Sequence, residues 1–297
     1  MSAAARVYRP SPIKPRRRHR ASAQKVWERR TELLRIVADG QPMTVRQVFY
    51  QATVHHLVDK TEDGYRKVQS DLVLLRRGGL LPYDHLADNT RWQRKPRTYD
   101  GIDHALEATA QLYRKDLWAH ADCYVEVWLE KDALAGVILP ITVEYDVPLM
   151  VARGYASLSF LHTAATFIAD LEVPTFIYHL GDFDPSGVNA GEKIEQTLRE
   201  LAPDADISFE RIAVNPGQIT AWSLPTRPTK QTDSRAKGFA EESVELDAIE
   251  PNQLRETVRD AIERHLPAEQ LDVLKEAEES ERSILHDMIG RLRGDAP

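Results

Sequence analysis

With 297 residues, 42% hydrophobic and 29% charged, the chain is long enough for two domains and a sizeable core, and its single cysteine, Cys123, excludes a disulfide framework or thiolate metal cluster. No apolar run approaches the roughly 20 residues a membrane helix needs, and no secretory core opens the chain, so a cytoplasmic protein without a membrane partner is expected. The formal net charge of −7 argues weakly against a nucleic-acid partner until its distribution is considered.

Basic residues crowd the opening. Arg6, Arg9, Lys14, Arg16, Arg17, Arg18, Arg20, Lys25, Arg29 and Arg30 are opposed only by Glu28. Such a Pro- and Arg-rich stretch cannot bury a core, so residues 1–21 are expected as a basic flexible arm. It would contact phosphates through counterion release, or serve as a solubilising tail. Acidic residues gather instead after Glu241.

Residues 22–100 are expected to hold three short helices. Val26, Leu33 and Val37 recur at helical spacing between Ser22 and Ala38, and Gly40 ends that run. Thr44-Val45-Arg46-Gln47 is a capping-box pattern that opens a second helix to about Leu57. A third runs from Tyr65 to Arg77, with Val68, Leu72 and Leu75 on one face and Gly78-Gly79 behind it. The polar return through Asp88-Asn89-Thr90-Arg91 suggests a winged helix-turn-helix whose third helix reads DNA with Arg66, Lys67, Arg76 and Arg77. A plain three-helix bundle is the alternative. On the second helix Arg46 and Tyr50 stand at i and i+4, on one side. Phe49-Tyr50 also suits a core pair.

Tyr99 to Trp118 reads as a helix, with residues 101–120 linking this domain to the next. Cys123–Leu129, Val147–Arg153, Thr175–Gly181 and Ile207–Val214 are apolar strand-like runs separated by helical stretches, Leu158–Leu171 and about Val188–Leu201 among them. That alternation implies a parallel sheet with right-handed crossovers over residues 121–250. Glu130-Lys131 follows the first run, and Asp182 and Asp184 follow the third, so all three acids reach one sheet edge. Acids so placed would repel one another unless a cation neutralised them, and Mg²⁺ suits their oxygens. Asp184-Pro185 and Gly187 equally suit a turn.

Further on, Leu224–Phe239 is a polar loop in which Lys230 and Arg235 would track phosphate. Ser243-Val244-Glu245-Leu246-Asp247 alternates like an edge strand. Glu245 and Asp247 on it are expected to face solvent rather than extend the metal site. Residues 251–297 are expected as a C-terminal helical extension, with Leu271, Leu274, Leu285, Met288 and Leu292 striping a long charged helix. That stripe would pack on its own domain or on a second copy. His55-His56, His162 and His179 lack metal-ligand spacing, and no phosphate-binding loop pattern occurs.

A glutamate after one strand (Leu129-Glu130-Lys131), a glycine after the next (Gly154) and Asp182-Phe183-Asp184-Pro185-Ser186-Gly187 after a third resemble the Toprim domain. The Asp-Pro-Ser-Gly form is similar to the A subunit of topoisomerase VI and its meiotic double-strand-break relatives. Arg46-Gln47-Val48-Phe49-Tyr50 resembles that family's R-x-x-F-Y motif, whose last tyrosine attacks DNA. The resemblance implies an N-terminal winged-helix domain followed by a Toprim domain. It further implies Mg²⁺ held by Glu130, Asp182 and Asp184, with Arg46 stabilising the transition state and Lys131 touching phosphate. Tyr50 would attack double-stranded DNA and form a 5′-phosphotyrosyl bond, in a homodimer in which one copy's tyrosine meets the other's metal. The family's ATPase is a separate subunit, and the short chain resembles the stand-alone "Mini-A" homologues of bacterial, plasmid and phage genomes. Two other readings stand beside it: a Toprim nuclease in which water attacks, and a non-catalytic winged-helix accessory protein.

Overall fold

The computed structural model describes residues 23–87, 97–229, 239, 242–266 and 268–293. The expected basic arm, the return through Asp88–Arg91, Lys230 and Arg235 lie outside the described residues.

Three helices open the described chain: α1 (Ala23–Gly40), α2 (Val45–Val54) and α3 (Glu62–Arg77). Leu33 and Val37 of α1, Val48, Phe49 and Ala52 of α2, and Val68, Leu72 and Leu75 of α3 form one apolar core with Met43, Leu81 and Leu86. The capping box forms as its sequence requires. Thr44 accepts the Gln47 N–H, and the Gln47 side chain accepts the Thr44 N–H. Helix α3 begins earlier than its apolar face suggests, because Thr61 caps it at the Gly64 N–H. Arg29 and Arg30 are not part of a free basic arm. They grip the buried Asp71 at 2.6 and 2.8 Å, which braces α1 against α3.

The remainder is a mixed α/β assembly around a four-stranded parallel sheet. Its strands are β1 (Tyr124–Leu129), β2 (Leu149–Val151), β3 (Thr175–Leu180) and β4 (Ile207–Ala213), in spatial order β2-β1-β3-β4. Both faces are covered, which is why the strands read as continuous apolar runs. On one face lie α5 (Ala135–Glu144) and α9 (Pro251–Glu263), packing Val137, Ile138, Leu254, Val258 and Ile262 against Val125, Val127, Leu129 and Leu180. On the other lie α6 (Leu158–Ala169) and α7 (Pro185–Leu201), which enclose Trp128 and Ile177. Tyr50 of α2 belongs to the sheet's core rather than to its own helical core, so it ties the two units together.

Two expectations change here. The helix expected over Tyr99–Trp118 is α4 (Ile102–Leu112) alone. After it the chain straightens to place the Tyr113 hydroxyl on Glu281, Lys115 Nζ 2.6 Å from Glu281, and Trp118 Nε1 on the Tyr145 carbonyl. Glu281 belongs to α10 (Ala268–Arg293), so the long C-terminal helix packs on its own chain. The edge strand expected over Ser243–Asp247 is only β6 (Glu242–Ser243), antiparallel to β5 (Arg227–Pro228). Val244 then bridges Phe183, and Leu246–Ala248 turn as a 3-10 helix. Cys123 is half-buried.

The sheet's core does not stop at residue 250. Leu254, Val258, Ala261 and Ile262 of α9 are fully buried in it. Leu254→Ala should therefore cost about 2–5 kcal/mol in urea unfolding, and a chain truncated after Glu250 should lose the cooperative transition.

Candidate functional site

In a sheet ordered β2-β1-β3-β4, the chain leaves β1 and β3 toward opposite sides, and a crevice opens between their carboxyl ends. Glu130 and Lys131 follow β1, and Gly181, Asp182 and Asp184 follow β3. The two ends are stitched together. The Glu130 N–H donates to the Leu180 carbonyl at 2.9 Å, and the Asp182 N–H donates to Glu130 Oε2 at 2.9 Å. Two glycines make room for that carboxylate. A Cβ on Gly181 would sit 2.6 Å from Glu130 Oε2, and one on Gly187 would meet it at 3.0 Å and the Asp182 carbonyl at 2.5 Å. Arg211 holds the loop from beneath. Its Nη2 donates to the carbonyls of Gly181, at 2.7 Å, and Asp182, and its Nε to that of Val214 at 3.1 Å.

The other acids are held by the protein itself. Asp184 caps α7: its Oδ1 accepts the Ser186 and Gly187 N–H groups at 3.1 and 2.8 Å, with Pro185 at the first helical position. Its Oδ2 takes Arg227 at 3.2 Å. Asp182 Oδ1 accepts the Leu246 N–H at 2.8 Å and Lys131 Nζ at 2.9 Å. Lys131 Nζ also reaches Asp247 at 2.7 Å and Glu245 at 3.5 Å. Glu245 is the hub, with Arg46 Nη1 at 2.7 Å and Arg227 Nη1 at 3.2 Å, and Tyr50 lines a pocket with it. Asp247 Oδ1 accepts the Thr44 hydroxyl at 3.3 Å.

Two cavities meet at this hub. A cleft of about 590 Å³ is lined by Thr44, Arg46, Arg76, Lys131, Asp182 and Asp247. A smaller pocket of about 200 Å³ is lined by Arg46, Tyr50, Lys60, Tyr65 and Arg227. Arg46 and Glu245 line both, so their ion pair is the wall between the acids and the phenol.

No protein-family model and no curated protein matches this chain. What the site can do is therefore read from its geometry.

Burial pushes Glu130 and Asp182 above the usual carboxyl range, Asp182 adding to the rise of Glu130 and Lys131 opposing both. Burial would raise Glu245 too, but Lys131, Arg46 and Arg227 outweigh it and hold Glu245 at about 2. Burial would lower Lys131, yet Asp247, Asp182 and Glu245 more than offset it and keep the ammonium charged. Tyr50 is pushed up, first by burial and then by Glu245, with Lys131 and Arg46 opposing. The resting phenol is thus a weak nucleophile. His179, buried behind Gly191 and stacked on Phe209, is driven to about 3 by burial and by Arg211.

Tyr50, Arg46, Glu130, Lys131, Asp182 and Asp184 all gather at this one crevice, within a single chain. Tyr50 lines the smaller pocket with Arg46 and Glu245 of the same chain. Arg66, Lys67 and Arg77 lie exposed on α3. Arg76 turns inward instead, to the Tyr83 and Leu86 carbonyls at 2.6 and 3.2 Å.

One expectation is corrected. Glu245 and Asp247 do not face solvent: Asp247 is 2% exposed and the Glu245 side chain 10%. Strict alternation fitted them to an outer face, but Lys131, Arg46 and Arg227 lie opposite and neutralise them. Arginines and a lysine lie against these acids. The oxygens suit Mg²⁺ chemically, but among the described residues no three His, Cys, Asp or Glu side chains converge on a point an ion could share. As arranged, they do not fit the ion. Sequence reasoning missed Arg211, Arg227 and Lys60; Lys60 lies over the Tyr50 ring at 5.3 Å.

Glu245 carries a pH signature. Its pKa falls from the usual 4.5 to about 2 on folding, so its stabilisation is complete above about 4.5 and is lost as pH falls toward 2. The stability gap between wild type and Glu245→Gln in urea unfolding should be widest at neutral pH and close over that window.

Proposed function

We propose that this chain cleaves double-stranded DNA by transesterification, with Tyr50 as nucleophile. The fold reading that goes with it is a winged helix-turn-helix followed by a Toprim-like sheet, in the manner of the topoisomerase VI A subunit. The observation that carries the proposal is the meeting, in one chain, of Tyr50 and Arg46 from α2 with Lys131, Asp182 and Glu245 at the β1/β3 crevice. The exposed Arg66, Lys67 and Arg77 on α3 supply a basic surface beside it.

The chemistry follows from the charges. A backbone phosphate entering the cleft competes with Glu245 for Arg46 and Lys131. As those cations turn to phosphate, Glu245 loses the partners that depress its pKa and becomes a better base for the Tyr50 proton. The phenolate oxygen then bonds to phosphorus while the bond to the 3′ oxygen breaks. The phosphate's negative charge rests on Arg46, and the 3′ oxygen takes a proton from solvent. The product is a 5′-phosphotyrosyl link and a free 3′ hydroxyl.

Mg²⁺ belongs to this reading through the resemblance alone, and no step above is routed through it. A double-strand break takes one tyrosine per strand, so a homodimer is part of the proposal, each phenol served by its own chain's Glu245. Strand passage would need a separate ATPase subunit.

Burial of Tyr50, 5% exposed, favours a second reading in which water attacks in its place. The two differ in their products. Wild type incubated with supercoiled DNA and then denatured should leave protein on the 5′ ends, and Tyr50→Phe should leave none while still binding DNA. Protein-free cut ends from wild type would support hydrolysis, and an adduct that persists in Tyr50→Phe would refute the assignment. Arg46→Ala should slow adduct formation about 10²–10³-fold, measured by single-turnover trapping.

A further inference from the structure

Tyr50 is 5% exposed, and Lys60 is part of what covers it. Lys60 stands at the surface, in the loop between α2 and α3. Its ammonium lies 5.3 Å from the centre of the Tyr50 ring and donates to the Pro225 and Thr226 carbonyls, at 3.1 and 2.8 Å. One side chain thus crosses the phenol and ties the helical unit to the segment that leads into β5. That segment flanks the ring as well: Leu224 shares a core with Tyr50, and Arg227 lines its pocket.

Among the described residues three cations line this pocket, and they are not held alike. Arg46 and Arg227 reach Glu245 at 2.7 and 3.2 Å, charge against charge. Lys60 gives its hydrogen bonds to two neutral carbonyls instead. An ammonium gains more from a full negative charge than from a carbonyl dipole, so an anion entering the pocket displaces the partners of Lys60 before those of the arginines. We propose that Lys60 is a latch over Tyr50 that phosphate opens. The phosphate draws the ammonium off the two carbonyls, the 224–227 segment loosens, and the phenol is uncovered where the phosphate arrives. Lys60 makes and breaks no covalent bond; it acts through the access it gives to Tyr50, as a positioning residue.

This inference rests on the proposed function for the identity of the anion, but its test needs no DNA cleavage. The full chain without DNA is compared with Lys60→Met, which keeps the stem and lacks the donors, and with Lys60→Arg, which keeps them. Hydrogen exchange of residues 222–229, read by mass spectrometry, follows the latch. Hydroxyl-radical labelling of Tyr50, referred to the exposed Tyr83, follows the cover. Both should rise about tenfold in Lys60→Met, the effect of losing a hydrogen bond from a charged group, and stay within about twofold of wild type in Lys60→Arg. Inorganic phosphate, against NaCl at matched ionic strength, should raise the exchange in wild type and leave Lys60→Met unchanged. No rise in Lys60→Met, or an equal rise in Lys60→Arg, overturns the latch, and a wild type indifferent to phosphate overturns its opening. The phosphate arm runs on the natural chain and decides the matter should a variant fail to fold. A latch that behaves as expected in a chain that leaves no protein on cut DNA would sink the transesterase reading alone. Adduct formation by a chain whose 222–229 segment ignores Lys60 would sink the latch alone.

Discussion

The Arg46–Glu245 ion pair is the contact on which the rest of the site depends. Arg46 comes from the helical unit and Glu245 from the turn beside the sheet's rim, 199 residues later. With Tyr65, the pair lines both the cleft that holds the acids and the pocket that holds the phenol. Glu245 is in turn tied through Lys131 to Asp182 and Asp247. The backbone supports the same junction. The Leu246 N–H meets Asp182, and Thr44, the residue that caps α2, meets Asp247. One network therefore fixes the entry of α2, the loop after β3 and the turn after β6.

Electrostatic balance explains why such a concentration of buried charge is tolerated. Removing a carboxylate from water is costly unless partners replace the lost solvation. Here each acid has a named partner: a guanidinium, the Lys131 ammonium, or an N–H group at a strand end or helix cap. The same balance keeps the site quiet at rest, since Glu245 is too strongly held to act as a base and Tyr50 is too buried to ionise. In the proposed reaction, a phosphate that draws off the cations would free Glu245 to act as a base.

Much of this was legible in the sequence where the cause is local. The Thr44/Gln47 capping box, the apolar strands that end in Glu130 and Asp182, and the i, i+4 pairing of Arg46 with Tyr50 all depend on near neighbours, and all are in place. Gly187 read as a turn residue; its other constraint, close approach of the Glu130 carboxylate, comes from 57 residues away and shows only in three dimensions. Glu245 and Asp247 were misjudged for a related reason. A strictly alternating stretch is the same string whether its polar face meets water or buried cations, and the cation in question, Lys131, lies 116 residues before Asp247. The helix expected to reach Trp118 ends at Leu112 because Tyr113 and Lys115 find α10, a contact no local pattern encodes. The parallel sheet was foreseen from alternation alone; the burial of α9 in its core was not, because an amphipathic helix does not name the face it covers.

Arg46 and Glu245 act as one unit between the phenol's pocket and the acids' cleft. A double-mutant cycle with Arg46→Met and Glu245→Gln, read by urea unfolding at neutral pH, measures that coupling most directly. The structure predicts a favourable coupling above about 1 kcal/mol, larger than an exposed surface pair would give. Additive effects, with a coupling near zero, would mean the two side chains do not depend on each other and would contradict the account.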